Sequence, residues 1–285
     1  MVTLDNVSYR YMKQGPSALT DVTLQLEPGI HLLLGENGAG KTTLLHLMAG
    51  LLTAREGVCM TAGMDMALRQ PAAQSKVFFL PDSLDVPFQT IGSMADLHGR
   101  FYPRFDRVLL ERNLDRFGLK ADTRIKQMSF GTRRKALIAY ALALRTEVLL
   151  LDEPTNGLDI ESKKTLRRMI AESAVEDSTV VVSTHSVHDL ESIYDGVVIL
   201  RKGHVQLAST TARLAGALAF VSHFEPVEGA IYQETEAGIY RAILPGGDDE
   251  ETAVNFSLLY TAMSTPAAEI IVNLLWKSRD ENKDK

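Results

Sequence analysis

One cysteine, Cys59, is all that the 285 residues contain, so no disulfide can close within the chain and no cysteine cluster can hold a metal. Nothing here requires an oxidising compartment, and the cytosol is the expected setting. Long hydrophobic runs are missing too. A bilayer-spanning helix needs about 18 apolar residues in succession, and the nearest approach, residues 136–151, is broken by Arg145 and Glu147. Residues 1–11 carry Asp5 and Arg10 where a secretory signal would need its apolar stretch. A membrane role is therefore expected to be peripheral. There is no basic excess either: 30 Lys and Arg against 36 Asp and Glu leave a net charge of −6, which argues against general affinity for nucleic acid, whose phosphates require a cationic surface. No internal repeat or low-complexity tract stands out. With 45% hydrophobic and 23% charged residues, the composition is that of a globular protein, long enough for one well-cored domain with an accessory piece or for two modest domains.

Apolar and polar residues alternate over 2–11 and 18–26, predicting two half-buried strands joined through Gly15-Pro16. An antiparallel β layer thus opens the chain. After Pro28-Gly29 comes a continuous apolar stretch, 30–34, which predicts a buried parallel strand. Leucines at helical spacing over 41–52 predict the helix that follows it. Residues 76–80 form a second apolar strand ending at Pro81. From there to about 143, spacings of three and four, clearest in 108–117 and 134–144, predict a helical insert. Strands at 147–151, 178–184 and 196–200 alternate with helices at 161–174 and 187–194. Such alternation predicts a mostly parallel sheet covered by helices on both faces. Beyond about 208 come short strand-like pieces at 217–224, 230–233 and 239–244, a turn at 245–248, and two closing helices. The last begins at Thr265-Pro266, a capping residue before a proline suited to a first helical position. The charged stretch 277–285 is expected to fray.

Between the first buried strand and its helix stands Gly35-Glu36-Asn37-Gly38-Ala39-Gly40-Lys41-Thr42, the phosphate-loop pattern in its expected context. Small residues at Gly38, Ala39 and Gly40 let backbone amides turn inward around phosphate oxygens at a helix N-terminus. Lys41 is placed to neutralise β and γ phosphates, and the Thr42 hydroxyl to ligate Mg²⁺. Further along, four apolar residues, 148–151, lead to Asp152-Glu153. Neighbours on a strand point to opposite sides, so the two acids are expected to have different tasks. Asp152 would hold Mg²⁺, directly or through water, and Glu153 would polarise the attacking water as general base.

With these motifs the chain resembles the ATPases of ABC transporters, a likeness that runs over about residues 2–207. The signature segment of that family is matched by Met128-Ser129-Phe130-Gly131-Thr132. In the family this segment of one subunit caps the γ phosphate bound to another, through a serine and a glycine amide at a helix N-terminus. Ser129 and Gly131 match; Phe130 and Thr132 depart from the usual glycine and glutamine, which implies a working but atypical cap. Asn156-Gly157-Leu158-Asp159 resembles the D-loop that joins two subunits, and Asp159 also suits a helix cap. His185, at the C-terminal end of a strand where open α/β sheets bind ligands, resembles the switch histidine that contacts the γ phosphate. His188 is read as structural. The aromatic residue that stacks on adenine is matched by Tyr11, with Tyr9 next on the same face. The family's Q-loop glutamine is replaced by Asp82, which can bind a metal-bound water but donates no amide hydrogen bond, so coupling to a partner is expected to differ. The segment Phe101-Tyr102-Pro103-Arg104-Phe105-Asp106 and the departure at Phe130 look more like bacterial exporter ATPases of the antibiotic and peptide type than like nutrient importers.

The resemblance implies an α/β fold of the P-loop NTPase class, with a mostly parallel core sheet, an N-terminal antiparallel β layer, an inserted helical subdomain at about 83–145 and a small C-terminal accessory region. Residues 1–207 would form the ATP-binding domain and 208–285 the accessory region. The expected ATP contacts are Tyr11, Gly35, Asn37, Gly38, Ala39, Gly40, Lys41, Thr42 and Thr43, completed by Ser129 and Gly131. Mg²⁺ would meet Thr42, Asp152 and Asp82, while Glu153, His185 and Lys41 carry catalysis. Implied partners are membrane-spanning transporter subunits and a second ATP-binding subunit, with no nucleic acid, on the cytoplasmic face of a membrane. Two other readings compete. A soluble ABC ATPase acting on ribosomes or DNA is opposed by the single cassette and by the lack of long coiled coils or zinc motifs. A nucleotide-binding scaffold without turnover is opposed by Lys41, Thr42, Asp152, Glu153 and His185 all standing in place.

Overall fold

The computed structural model describes residues 1–83, 86–173, 177–185, 193–246 and 252–281, with side chains of the last helix described to Lys277. The chain opens on β1 (Val2–Tyr9) and β2 (Leu19–Leu26), paired antiparallel as the alternation requires. β3 (Gly29–Leu34) then enters the centre of the molecule and α1 (Lys41–Met48) leaves it. Two strands that the sequence pattern hides, β4 (Glu56–Thr61) and β5 (Met64–Asp65), extend the opening sheet to the order β2-β1-β4-β5. They escape notice because only Cys59 and Thr61 are buried in β4, so no apolar alternation marks it.

A short helix, α2 (Pro71–Gln74), precedes β6 (Val77–Leu80). The insert is helical as expected, with α3 (Ile91–Leu97), α4 (Arg107–Arg116) and α5 (Phe130–Ala143). β7 (Val148–Asp152), α6 (Ile160–Ser173), β8 (Thr179–Thr184) and β9 (Gly196–Arg201) follow, and β10 (His204–Thr210) folds back antiparallel on β9. The central sheet has the order β10-β9-β3-β8-β7-β6, parallel throughout except at β10. The expected helix at 187–194, and His188 with it, lies largely outside the described residues.

Alternation explains why these strands are mostly apolar on both faces. Ile30, Leu32 and Leu34 of β3 join one core, with Val180 and Val182 of β8 and Val197 and Ile199 of β9. The residues between them, Leu33, Val181 and Val198, join a second core under the antiparallel sheet and α1. Successive side chains on a strand point to opposite faces, so a sheet covered on both sides needs apolar residues at every position. Each fully buried Leu or Val contributes about 1.5–3 kcal/mol.

The C-terminal region comprises α7 (Thr211–Ala217), β11 (Leu218–His223), β12 (Tyr232–Glu236), β13 (Ile239–Pro245), α8 (Phe256–Ala262) and α9 (Ala267–Glu281). Its strands form a separate antiparallel sheet in the order β11-β13-β12. Leu214, Leu218, Ile243, Phe256, Leu259 and Ile271 belong to the same buried cluster as β3 and β8, and Tyr194 meets Phe256 edge to face at 5.8 Å. Residue 207, where a boundary is expected, lies inside β10. Among the described residues no single helix is long and apolar enough to cross a membrane.

Most helices open on a short oxygen-bearing side chain. Thr90, Asp106, Ser129, Asp159, Thr210 and Asn255 each accept a hydrogen bond from an amide three residues on, a cap worth about 1 kcal/mol. α1 differs: Gly40 stands at its N-cap in the left-handed region, φ 107°, with no side-chain cap. A Cβ there would lie 2.7 Å from the Ala18 carbonyl oxygen, so only glycine fits. The first amides of α1 are thereby left without a side-chain partner.

Candidate functional site

Parallel strands end together, and their register decides which residues meet. Leu34 pairs with Thr184, and Asp152 with Ser183, so the phosphate loop after β3, the acids ending β7 and His185 after β8 emerge at one sheet edge. This is where open α/β sheets present ligand sites. A cavity of about 380 Å³ opens there, lined by Glu36, Asn37, Gly38, Gly40, Lys41, Thr42 and Thr43 from the loop side and by Tyr11, Ala18, Asp82, Asp152 and Glu153 around it.

Lys41 is nearly buried and its ammonium donates to the Gly35 carbonyl at 2.6 Å and to Glu36 at 3.4 Å, with Glu153 Oε1 at 3.7 Å. It is thus curled into the concavity of its own loop. Thr42 Oγ1 donates to Asp152 Oδ2 at 2.8 Å, while Ser183 Oγ donates to Asp152 Oδ1. Among the described residues no group of three His, Cys, Asp or Glu could hold a metal unaided. A hydroxyl beside one carboxylate suits a hard cation that keeps waters and takes phosphate oxygens for its remaining positions.

Glu153 occupies the left-handed region at φ 46°, a conformation that costs a non-glycine residue about 1–3 kcal/mol and concentrates at functional sites. Its amide is fixed by the Ser183 carbonyl at 3.1 Å and the Ser183 hydroxyl at 3.2 Å. Its carboxylate meets His185, Nδ1 at 3.0 Å from Oε1 and the His185 amide at 3.3 Å from Oε2. Tyr11 is 57% exposed at the mouth of the cavity and bonds the Thr43 hydroxyl at 3.0 Å. Tyr9 does not share that face. It is 7% exposed in the core and meets Tyr11 edge on, because β1 ends at Tyr9 and the alternation stops there. Asp82 accepts from Asn156 Nδ2 at 2.9 Å, so its carboxylate links the β6 exit to the segment after Glu153.

Ser129 and Gly131 lie elsewhere and do not line the cavity. Ser129 caps α5, and Thr132, in place of the usual glutamine, bonds the Ser129 hydroxyl at 2.8 Å. A Cβ on Gly131 would lie 2.5 Å from the Gly157 carbonyl oxygen, and one on Gly157 would lie 2.7 Å from the Phe130 ring. The signature segment and the 156–159 turn are therefore in direct contact. Lys135 joins them again by bonding Asp159 at 2.8 Å. That bond, followed by those from Ser162, holds the Asp159 carboxyl far below the usual carboxylate range.

Sequence reasoning missed Ser183 and Arg134, and it named Asn156 in the D-loop resemblance without its bond to Asp82. Ser183 is hidden in a Val-rich strand. Arg134 is 3% exposed, and its guanidinium donates to the carbonyls of Pro81, Asp82, Asp152 and Glu153. Flanked by Arg133 and Lys135, it reads in the sequence as one cation of a solvated helix start.

Comparison with known proteins bears on this arrangement. The family model described as ABC transporter matches residues 19–156. The chain is 34% identical to the ABC transporter ATP-binding protein NatA of Bacillus subtilis, over 72% of this chain and 87% of that one. It is 31% identical to the cobalamin import ATP-binding protein BtuD of Halobacterium salinarum, over 95% and 74% of the two chains. With the Nod factor export ATP-binding protein I of Cupriavidus metallidurans it shares 30% identity, over 64% of this chain and 63% of that one. Among solved structures, the ATP binding subunit of an ABC transporter superposes with a TM-score of 0.67 at 25% identity, over 75% of this chain and 91% of that one.

Proposed function

The chain belongs to the ABC transporter ATP-binding family and is an ATPase, and from that premise we propose that it powers export through separate membrane-spanning subunits, from the cytoplasmic face of the membrane. Two copies, or this chain and a related one, would bind ATP at a shared interface, each phosphate loop facing the other's Ser129 and Gly131. The observation that carries the reading is the meeting of Lys41, Thr42, Asp152, Glu153 and His185 at one sheet edge. Mg²⁺, held by Thr42 and Asp152, would supply charge neutralisation of the triphosphate. Lys41 exchanges its bonds to the loop carbonyls for the β and γ phosphates. Glu153 takes the proton of the attacking water, and His185, already on the Glu153 carboxylate, faces the γ phosphate. Tyr11 would stack on adenine, and Asp82 would serve with Thr42 and Asp152 in holding Mg²⁺. In-line attack with such positioning is the general mode of phosphoryl transfer.

Export is favoured by Phe130 and by the segment Phe101 to Asp106; relatives named for import and for export both match the chain, so direction rests on these residues. Residues 1–207 would act as the ATP-binding domain and 208–285 as an accessory region fused to its core. The test has two arms. Mg²⁺-dependent ATP hydrolysis should fall about 100-fold or more in Glu153→Gln with ATP still bound, the range typical for loss of a general base. The chain should also leave detergent extracts of its native membranes bound to a multi-span subunit. Recovery with ribosomes instead would favour the soluble reading.

A further inference from the structure

β6 and β7 pair in parallel up to Leu80 and Leu151, and beyond that register their main chains part. Carbonyls at the end of a ladder need partners, and one side chain reaches four of them, the Glu153 carbonyl also accepting from the Asn156 amide at 3.2 Å. Arg134 Nη1 donates to Pro81 O and, at 2.9 Å, to Asp82 O; Nη2 donates to Asp152 O and, at 2.8 Å, to Glu153 O. The planar fork thus spans both strand exits, the one that carries Asp82 and the one that carries the two acids.

Space filling does not account for this choice. Burial pushes the guanidinium below its ordinary pKa, opposed by the charges of Asp82, Asp152 and Glu153, and Nε is buried without a partner. Among the described residues Arg134 forms no ion pair with a carboxylate. An apolar residue of similar volume avoids the cost of desolvating a cation. Arg134 also stands in α5, the helix capped by Ser129, so the fork ties the signature helix to the main chain of the acids.

We propose that Arg134 is a positioning residue for hydrolysis: it holds the main chain of Asp82 and of Asp152 and Glu153 at one spacing, and makes the pose of Glu153 follow the seating of α5. The inference rests on Glu153 acting as general base. Arg134 touches carbonyls behind the acids, so its loss alters turnover and leaves ATP binding intact. A misplacement of about 1 Å can cost a reaction about 100-fold.

Arg134→Met, which keeps volume and removes every donor, and Arg134→Lys, whose single ammonium cannot fork across both exits, test it. Both should lower kcat by about 10- to 100-fold with ATP affinity within about threefold of the parent, measured well below the melting temperature of each variant. Added to Glu153→Gln, Arg134→Met should lower residual hydrolysis no further, because it acts through Glu153. Wild-type kcat in folded Arg134→Lys would overturn the proposal, as would a kcat loss matched by lost ATP binding or a further loss in the double variant. Should Arg134→Met not fold, Arg134→Lys decides alone by the same criteria. Hydrolysis near the parent rate in Glu153→Gln would instead sink the general-base reading itself.

Discussion

Lys41, Thr42, Asp152 and Glu153 could be placed from sequence because each stands in a run whose neighbours state its context, a strand before and a helix or turn after. Arg134 could not, since its meaning comes from carbonyls at residues 81, 82, 152 and 153, which no local pattern links. The same holds for three histidines that periodicity does not single out. Burial lowers the pKa of His31, His46 and His98 below 6.5, and the His31 ring donates to the Glu27 carbonyl at 2.7 Å. Below that pH the unfolded chain binds protons that the folded chain refuses. The stability contributed by these neutral rings is therefore whole above pH 6.5 and falls away as the pH drops through and below it. The urea midpoint should be lower at about pH 5.5 than at about pH 7.5, and His31→Gln should shrink the difference. Equal midpoints at both pH values would count against buried neutral histidines.

At the level of elements, legibility followed burial. Strands β3, β7, β8 and β9, buried at nearly every position, are placed within a residue or two, while β4 and β10, with one or two buried residues each, leave no trace. α5 shows how an element carries function. Its cap Ser129, the glycine that admits Gly157, the Lys135 bond to Asp159 and the Arg134 fork all lie within its first two turns. Gly131→Ala must displace the 156–159 turn, because its Cβ would meet a backbone oxygen at 2.5 Å. We expect ATP binding to the isolated chain to persist and hydrolysis to fall at least tenfold, on the order of the effect of a misplaced donor. Hydrolysis at the parent rate would show that the contact between the two segments is dispensable.

The whole molecule is more tightly joined than its sequence suggests. A change of pattern near 208 reads as a boundary, yet Leu214, Ile243 and Leu259 share one buried cluster with Leu32 and Val182 of the central sheet. The sequence pattern did find the three strands and two closing helices there, but not that they pack inward, since short strands of mixed polarity do not say which face they cover. Leu259, 0% exposed, should cost about 2–5 kcal/mol when changed to alanine. Nucleotide-binding and far-ultraviolet probes should then report a single, earlier transition. Two separate transitions would mean that residues 208–285 fold apart from the ATPase core. On the proposed reading, Ser129 and Gly131 stand away from the cavity of their own chain because a site completed by a second ATP-binding subunit has its parts on different faces.

That last point is the central claim, and Glu153→Gln tests it most directly, because it keeps the cavity and stops turnover. In analytical ultracentrifugation, the variant with ATP and Mg²⁺ should sediment as a dimer and revert to monomer with ADP, since ATP can favour the closed pair only by binding it more tightly than the open chains. A monomer with nucleotide bound, at every protein concentration tried and also with any co-purifying ATP-binding chain added, would contradict the account.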